Sequence, residues 1–286
     1  MRVLIVGCGY IGLPLAAELA RQGHTVFGLR RSATAAAELA AAGVEPLFAD
    51  ITQRETLDAL PLDFDWVVNC TASGGGGVAD YQQIYREGNR HLLQWLGSSR
   101  LKKFIYTSST SVYGQNDGSV VTEDSPTTPD AETAQVLLEA ESLLLTAART
   151  EAFPAVILRL AGIYGPGRGY WFKQFMRGEA RLEGDGSRYL NMIHRTDAVQ
   201  AIIAALERGV PGQIYNVVDN EPVTQFNLFQ SLAIDMNQPM PPSLPPETTA
   251  GRRRGVTNKR VSNARLRNEL GFQPQFPDFR AAYGVM

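Results

Sequence analysis

The sequence predicts an α/β fold: a doubly wound parallel sheet with a smaller C-terminal lobe. Two observations carry this. Arg2-Val3-Leu4-Ile5-Val6 is a short apolar run, expected as a strand buried on both faces, and Gly7-Cys8-Gly9-Tyr10-Ile11-Gly12 follows it directly into a helical pattern (Leu13, Leu15, Ala16, Leu19) that stops at Gly23. Short apolar runs then keep alternating with helical stretches, which gives about seven strands in a parallel sheet with helices on both faces.

The first turn fits G-x-G-x-x-G. Gly7 permits the tight turn, Gly9 lets a pyrophosphate approach the backbone, and Gly12 lets helix and strand pack closely. The helix N-terminus adds unpaired N–H groups and the positive end of its dipole. Gly7, Gly9, Tyr10, Ile11 and Gly12 are therefore expected to bind a dinucleotide.

The second strand, His24 to Leu29, runs into Arg30-Arg31-Ser32. An acid at this strand end would bond the ribose 2′-hydroxyl of NAD, whereas arginine accommodates the 2′-phosphate of NADP. Arg30 and Arg31, with no acid beside them, favour NADP over NAD. Ser32 or Thr34 caps an alanine-rich helix that Gly43 stops. Val44 to Ala49 is a third strand ending at Asp50, and Thr52 to Leu60 a short helix. Asp65 to Ala72 is a fourth strand leading into Ser73 and four glycines. Asp50, Thr71 and Ala72 end their strands on the cofactor edge and are candidate contacts. Cys8 and Cys70 lie near the ends of neighbouring strands and are expected to pack as small residues under the dinucleotide rather than act as a redox pair.

Tyr81 to Leu96 reads as a helix. Lys103 to Tyr106 opens a fifth strand that runs into Thr107-Ser108-Ser109-Thr110-Ser111-Val112-Tyr113-Gly114, a hydroxyl cluster where such sheets place their chemistry. Ala131 to Arg149 is a helix, Ala155 to Leu160 a sixth strand, and Gly162 to Arg168 a turn-rich loop. Gly184-Asp185-Gly186-Ser187 predicts a hairpin turn. Helices are expected from Thr196 and Thr224, with a strand over Gly212 to Val218 between them. Residues 1–167 and 194–220 are assigned to the dinucleotide-binding domain, and 168–193 and 221–286 to the smaller lobe.

Bulk properties narrow the partners. The 286 residues carry a formal charge of -2, which supplies no general drive toward nucleic acid, and no apolar run reaches the length of a membrane span. His24, His91 and His194 lack partners at ligand spacing, so no metal is expected. A strand that begins by Val3 leaves no room for a signal peptide, and a cytoplasmic location is expected.

Taken together, the glycine loop, Ser108-Ser109-Thr110-Ser111-Val112-Tyr113-Gly114, Gly162-Ile163-Tyr164-Gly165-Pro166-Gly167, Met192 to Val199, Tyr215-Asn216-Val217 and Asn258 to Phe272 resemble the extended short-chain dehydrogenases/reductases, the NAD(P)-dependent epimerase/dehydratase group. The resemblance implies that Ser109 bonds the substrate oxygen, that Ser111 lines the same site, and that the C-terminal lobe binds a small polar substrate, often a nucleotide sugar. Arg168, Arg253 and Arg254 would then hold its anionic part. The family's acid/base is a tyrosine with a lysine four residues later. Aligned on Glu141, those positions are Thr133 and Leu137, and no tyrosine in the chain is followed four residues later by lysine. Tyr85 stands where the family commonly has asparagine. Tyr164, Tyr113 and Glu132 are candidate replacements for the base. Two readings stay open: an oxidoreductase or epimerase/dehydratase with a non-standard acid/base, and a catalytically reduced NADP(H)-binding module.

Overall fold

The computed structural model describes residues 1–97, 99–244 and 257–285. The chain opens with β1 (Arg2–Val6), α1 (Gly12–Arg21), β2 (Thr25–Arg30), α2 (Ala36–Ala41), β3 (Glu45–Phe48) and β4 (Trp66–Asn69). A continuous helix follows, made of α3 (Val78–Tyr81), a π-helical stretch (Gln82–Glu87) and α4 (Gly88–Leu96). Next come β5 (Lys103–Ser109), β6 (Val120–Val121), α5 (Glu132–Thr150), β7 (Ala155–Leu160), β8 (Gly162–Tyr164) and α6 (Tyr170–Met176). The chain continues through β9 (Leu182–Glu183), β10 (Tyr189–Leu190), β11 (Met192–His194), α7 (Arg195–Arg208), β12 (Ile214–Val217), β13 (Val223–Thr224) and α8 (Gln225–Asp235). It closes with β14 (Ser243–Leu244), β15 (Arg260–Val261) and α9 (Ala264–Leu270).

Seven strands form one sheet in the order β12-β7-β5-β4-β1-β2-β3. The pairs β1–β2, β1–β4, β4–β5 and β2–β3 are all parallel. Strand order reverses between β1 and β4, and such a switch point is where an open parallel sheet leaves a crevice at its carboxyl ends. Val3, Leu4 and Ile5 are wholly buried, as are Val67, Val68, Phe104, Ile105 and Val156 to Leu158. This is the near-continuous apolar reading of strands covered on both faces.

The chain divides into two compact units: residues 1–109, 132–159 and 201–215 in the first, and 110–131, 160–200 and 216–286 in the second. This differs from the division expected from sequence. Residues 110–131 join the second unit because β6 pairs in parallel with β15, Val121 opposite Val261. The second unit has its own core, in which Tyr164, Phe172, Phe175, Leu190, Leu228, Phe229, Phe276 and Phe279 are buried.

Two local expectations change. The helix expected over Thr52 to Leu60 is a short 3-10 turn at Arg54–Leu57. The Thr56 hydroxyl bonds the carbonyls of Asp50 and Gln53, a local side-chain alternative to helical bonding. Gly184 and Gly186 turn the chain, but the strands on either side do not pair with each other: β9 pairs with β14 and β10 with β13.

Candidate cofactor and active site

The glycine loop has the geometry that its sequence implies. Gly7 has φ +87°, and a Cβ there would sit 2.9 Å from the Thr71 Cα. A side chain on Gly12 would overlap the Gly7 carbonyl oxygen. Gly9 differs from both. It is exposed, and a Cβ built on it meets nothing within 4 Å. Two glycines therefore serve the protein's own packing, and the third leaves open space beside the start of α1. That space suits a phosphate at a helix N-terminus. Ile11, at the N-cap of α1, is 8 % exposed and anchors the loop, while Tyr10 is half-buried.

Arg30 ends β2 and donates to the Cys8 carbonyl, with Glu38 3.8 Å away. Its guanidinium is thus held against the glycine loop on the β2 side of the crevice. Arg31 is exposed, and the Ser32 hydroxyl accepts the Thr34 N–H. Asp50 is committed locally, accepting the Thr52 N–H and hydroxyl at 3.0 and 2.9 Å. Burial pushes the Cys8 thiol up to about 12, with Arg30 opposing, and raises Cys70 further, with Cys8 adding. Both stay protonated at neutral pH, which suits packing under the loop and not redox chemistry.

On the other side of β1, the end of β4 is tied down by two buried amides. Asn69 accepts the Thr71 N–H and hydroxyl at 3.1 and 2.7 Å and donates to Asn89. Asn89 in turn donates to the Tyr85 carbonyl at 2.7 Å. The Tyr85 hydroxyl accepts the Ser73 N–H at 3.1 Å. Ala72, between these anchors, is exposed.

Ser108 and Ser109 are adjacent on β5, so their side chains leave opposite faces. Ser108 donates to the Glu141 carboxylate at 2.6 Å. Arg159 on β7 grips the same carboxylate through Nε (3.1 and 3.2 Å) and Nη2 (2.7 Å). The two side chains are 4 % and 2 % exposed. This buried triad fixes β5 to α5 and β7 directly beneath half-buried Ser109. Thr133 and Leu137 on α5 are 9 % and 4 % exposed, so the helix presents neither a phenol nor an ammonium at these two positions.

In the second unit Ser111 is half-buried and Arg168 is exposed on a loop closed by Gly165–Arg168 backbone bonds. Tyr164, expected as a candidate acid/base, is 1 % exposed. Its ring stacks on Phe172 and its hydroxyl reaches the Asp278 carbonyl at 3.4 Å, which makes it a core residue. Tyr113 is also fully buried, donating to Asn216 at 2.8 Å. Arg253 and Arg254 lie outside the described residues. Among those described, no group of three or more His, Cys, Asp or Glu could hold a metal ion, and no helix is long and apolar enough to cross a membrane.

No local sequence signal singles out Lys259, which lies in the stretch Asn258 to Phe272. It is 3 % exposed, and its ammonium donates to the Tyr113 carbonyl and the Thr257 hydroxyl, both at 2.7 Å. Among the described residues no carboxylate pairs with it. Burial, with Arg188 adding, lowers its pKa from 10.5 to about 8. The unfolded chain therefore binds the extra proton between pH 8 and 10.5, and stability from this group rises with pH across that window, by about 3 kcal/mol in full. Urea unfolding at pH 7 and pH 10.5 should show that rise in the wild type relative to Lys259→Met. A difference that stays constant with pH would mean that the ammonium is not desolvated.

The comparisons with known proteins bear on this site. The sequence profile of the NAD dependent epimerase/dehydratase family matches residues 3–217. The chain belongs to that family. Protein YeeZ of Escherichia coli K12 is 30 % identical over 284 residues, covering 97 % of each chain. A 3-diazoavenalumate denitrifying reductase from Streptomyces is 28 % identical, covering 99 % of each. Among solved structures, the dTDP-glucose 4,6-dehydratase DesIV from Streptomyces venezuelae, with NAD and TYD bound, superposes with TM-score 0.84 at 21 % identity, covering 99 % of this chain and 94 % of that one. The last likeness establishes the fold, and the epimerase/dehydratase family assignment makes this chain an NAD-dependent-type Rossmann oxidoreductase.

Proposed function

We propose that this epimerase/dehydratase family member is an NADP(H)-dependent oxidoreductase acting on a small, polar, anionic substrate. The observation that carries the reading is the pairing of an open face at Gly9 with Arg30 held against the same loop. Gly9 and the N-terminus of α1 would take the pyrophosphate, and Arg30 with Arg31 the 2′-phosphate. When bound, the nicotinamide would exchange hydride with the substrate. Ser109 would donate its hydroxyl to the substrate oxygen and place the reacting carbon. A nucleotide sugar fits the family and the fold neighbours.

Parallel titrations with NADPH and NADH test this. A charge-assisted bond to a phosphate contributes about 1.5–3 kcal/mol, so Arg30→Ala should weaken NADPH about tenfold to a hundredfold and leave NADH unchanged. Equal wild-type affinity for both would overturn the NADP preference. Equal loss of both in the variant would mean that Arg30 only braces Cys8. The buried Thr133 and Leu137 favour a second reading, a cofactor-binding protein without turnover. A substrate screen with Ser109→Ala as control separates the two.

A further inference from the structure

We propose that the Tyr85 hydroxyl is the proton donor of this site and that the reaction it serves is a reduction; this rests on the cofactor reading above. Thr133 and Leu137 carry no dissociable proton near neutrality, so a proton for the substrate oxygen must come from elsewhere on the carboxyl edge of the sheet.

The topology says where to look. Arg30 stands on the β2 side of β1, the side expected to hold the adenine ribose. The reacting end of a dinucleotide laid across Gly9 must then fall on the other side, over the ends of β4 and β5. Thr71 packs against Gly7 there, and the chain runs from Thr71 to Ser73. The Ser73 N–H points at the Tyr85 oxygen. Tyr106 of β5 pairs with Asn69 of β4, so Ser109 closes β5 three residues further along the same edge. The Tyr85 hydroxyl, bonded to the loop after β4, and Ser109, at the end of β5, thus belong to the same carboxyl edge of the sheet.

The mounting of Tyr85 is elaborate for a packing residue. It sits within the π-helical stretch Gln82–Glu87, a widening that is frequent at functional sites. Its carbonyl is held by Asn89, which is itself held by Asn69, and both amides are buried. Its ring lies 4.8 Å from that of Tyr81. Tyr81 lies beside it on the same helix, and Tyr85, Tyr81 and Glu141 all act on the buried Tyr106 phenol of β5. Glu141 is already engaged by Arg159 and Ser108. Arg86, the next residue, is engaged by Glu87 and Glu139.

The direction follows from chemistry. A lysine neighbour readies a phenol to act as a base. A backbone N–H donated to a phenol oxygen steadies the charge left there once the proton has gone, so a phenol so placed is suited to give a proton. Tyr85 breaks its O–H bond and passes the proton to the substrate carbonyl oxygen as the carbonyl carbon receives hydride from the reduced dinucleotide. The carbonyl π pair becomes the new O–H bond, the nicotinamide is left oxidised, and the tyrosinate recovers a proton from water.

The test does not need the substrate. Oxidised nicotinamide carries a positive charge and the reduced form does not. If the two groups touch, one phenol should ionise about one pH unit or more earlier in the NADP+ complex than in the NADPH complex, read by phenolate absorbance. The early step should vanish in Tyr85→Phe and persist in Tyr81→Phe and Tyr106→Phe. Identical titrations with the two cofactors, or loss of the step in either control, would overturn the assignment to Tyr85 while leaving cofactor binding intact. Failure to bind either cofactor, seen first by nicotinamide fluorescence, would remove the hydride source and sink both proposals.

Discussion

Arg159→Met is expected to destabilise the protein by about 3–5 kcal/mol, the largest stability effect foreseen for a single substitution outside the glycine loop. The guanidinium donates three hydrogen bonds to the Glu141 carboxylate, Ser108 donates another, and both charged side chains are almost fully buried. Without the guanidinium, a buried carboxylate loses its countercharge. Either it stays charged at a large desolvation cost, or it takes up a proton. In the second case the loss should shrink as the pH falls toward 5, because the folded variant then holds a proton that the unfolded chain still largely lacks, and falling pH favours the state that binds it. Replacing both partners, Arg159→Met with Glu141→Leu, should recover most of the stability, since the charge that needed compensation is gone. Urea unfolding at pH 5 and pH 8 measures all three cases. A loss below about 1 kcal/mol at pH 8 would mean that water reaches the carboxylate. The effect also reaches Ser109, because Ser108 stands between this pair and Ser109, and loosening the triad lowers the precision with which Ser109 is held.

Gly9→Val is expected to do the opposite: leave stability nearly unchanged and remove cofactor binding by at least about a hundredfold, on the order of 2.8 kcal/mol. A Cβ added at Gly9 meets no protein atom within 4 Å, so the folded chain is expected to lose little. It does fill the space through which a pyrophosphate would approach. The contrast with Gly12→Val is informative, because there the new side chain collides with the Gly7 carbonyl and the loop itself must move. Thermal melting alongside NADPH titration separates the cases. Retained affinity in Gly9→Val would show that the dinucleotide does not cross this loop.

The parts of this molecule legible in the sequence are those in which neighbours in the chain are also neighbours in space. The strand, glycine turn and helix at the N-terminus qualify, as do the Thr224 cap, whose hydroxyl accepts the Asn227 N–H, and the end of β5 at its serines. What was hidden depends on partners far along the chain. Nothing local marks Glu141 and Arg159 as a pair, because they stand 18 positions apart with a helix end between them. Tyr85 was visible only as an unusual residue at its position; its bond to Ser73 depends on how the loop after β4 folds back. Gly184–Gly186 form the turn that their sequence predicts but not a hairpin, since turn chemistry does not say which strand each arm will choose.

The π-helical stretch bears on how relatives of this chain should be compared with it. A wider turn accommodates one more residue than a plain α-helix covering the same length, so everything after Glu87 is rotated by about 100° relative to a helix without it. A relative lacking the extra residue would place a different side chain at the position of Tyr85 while its own α4 core residues stay in phase with Leu92 and Leu96. Pairing such sequences without a gap would mispair one side of the helix. The single-residue gap belongs between Gln82 and Glu87, and its presence or absence sorts relatives by whether they can bring a tyrosine to Ser73.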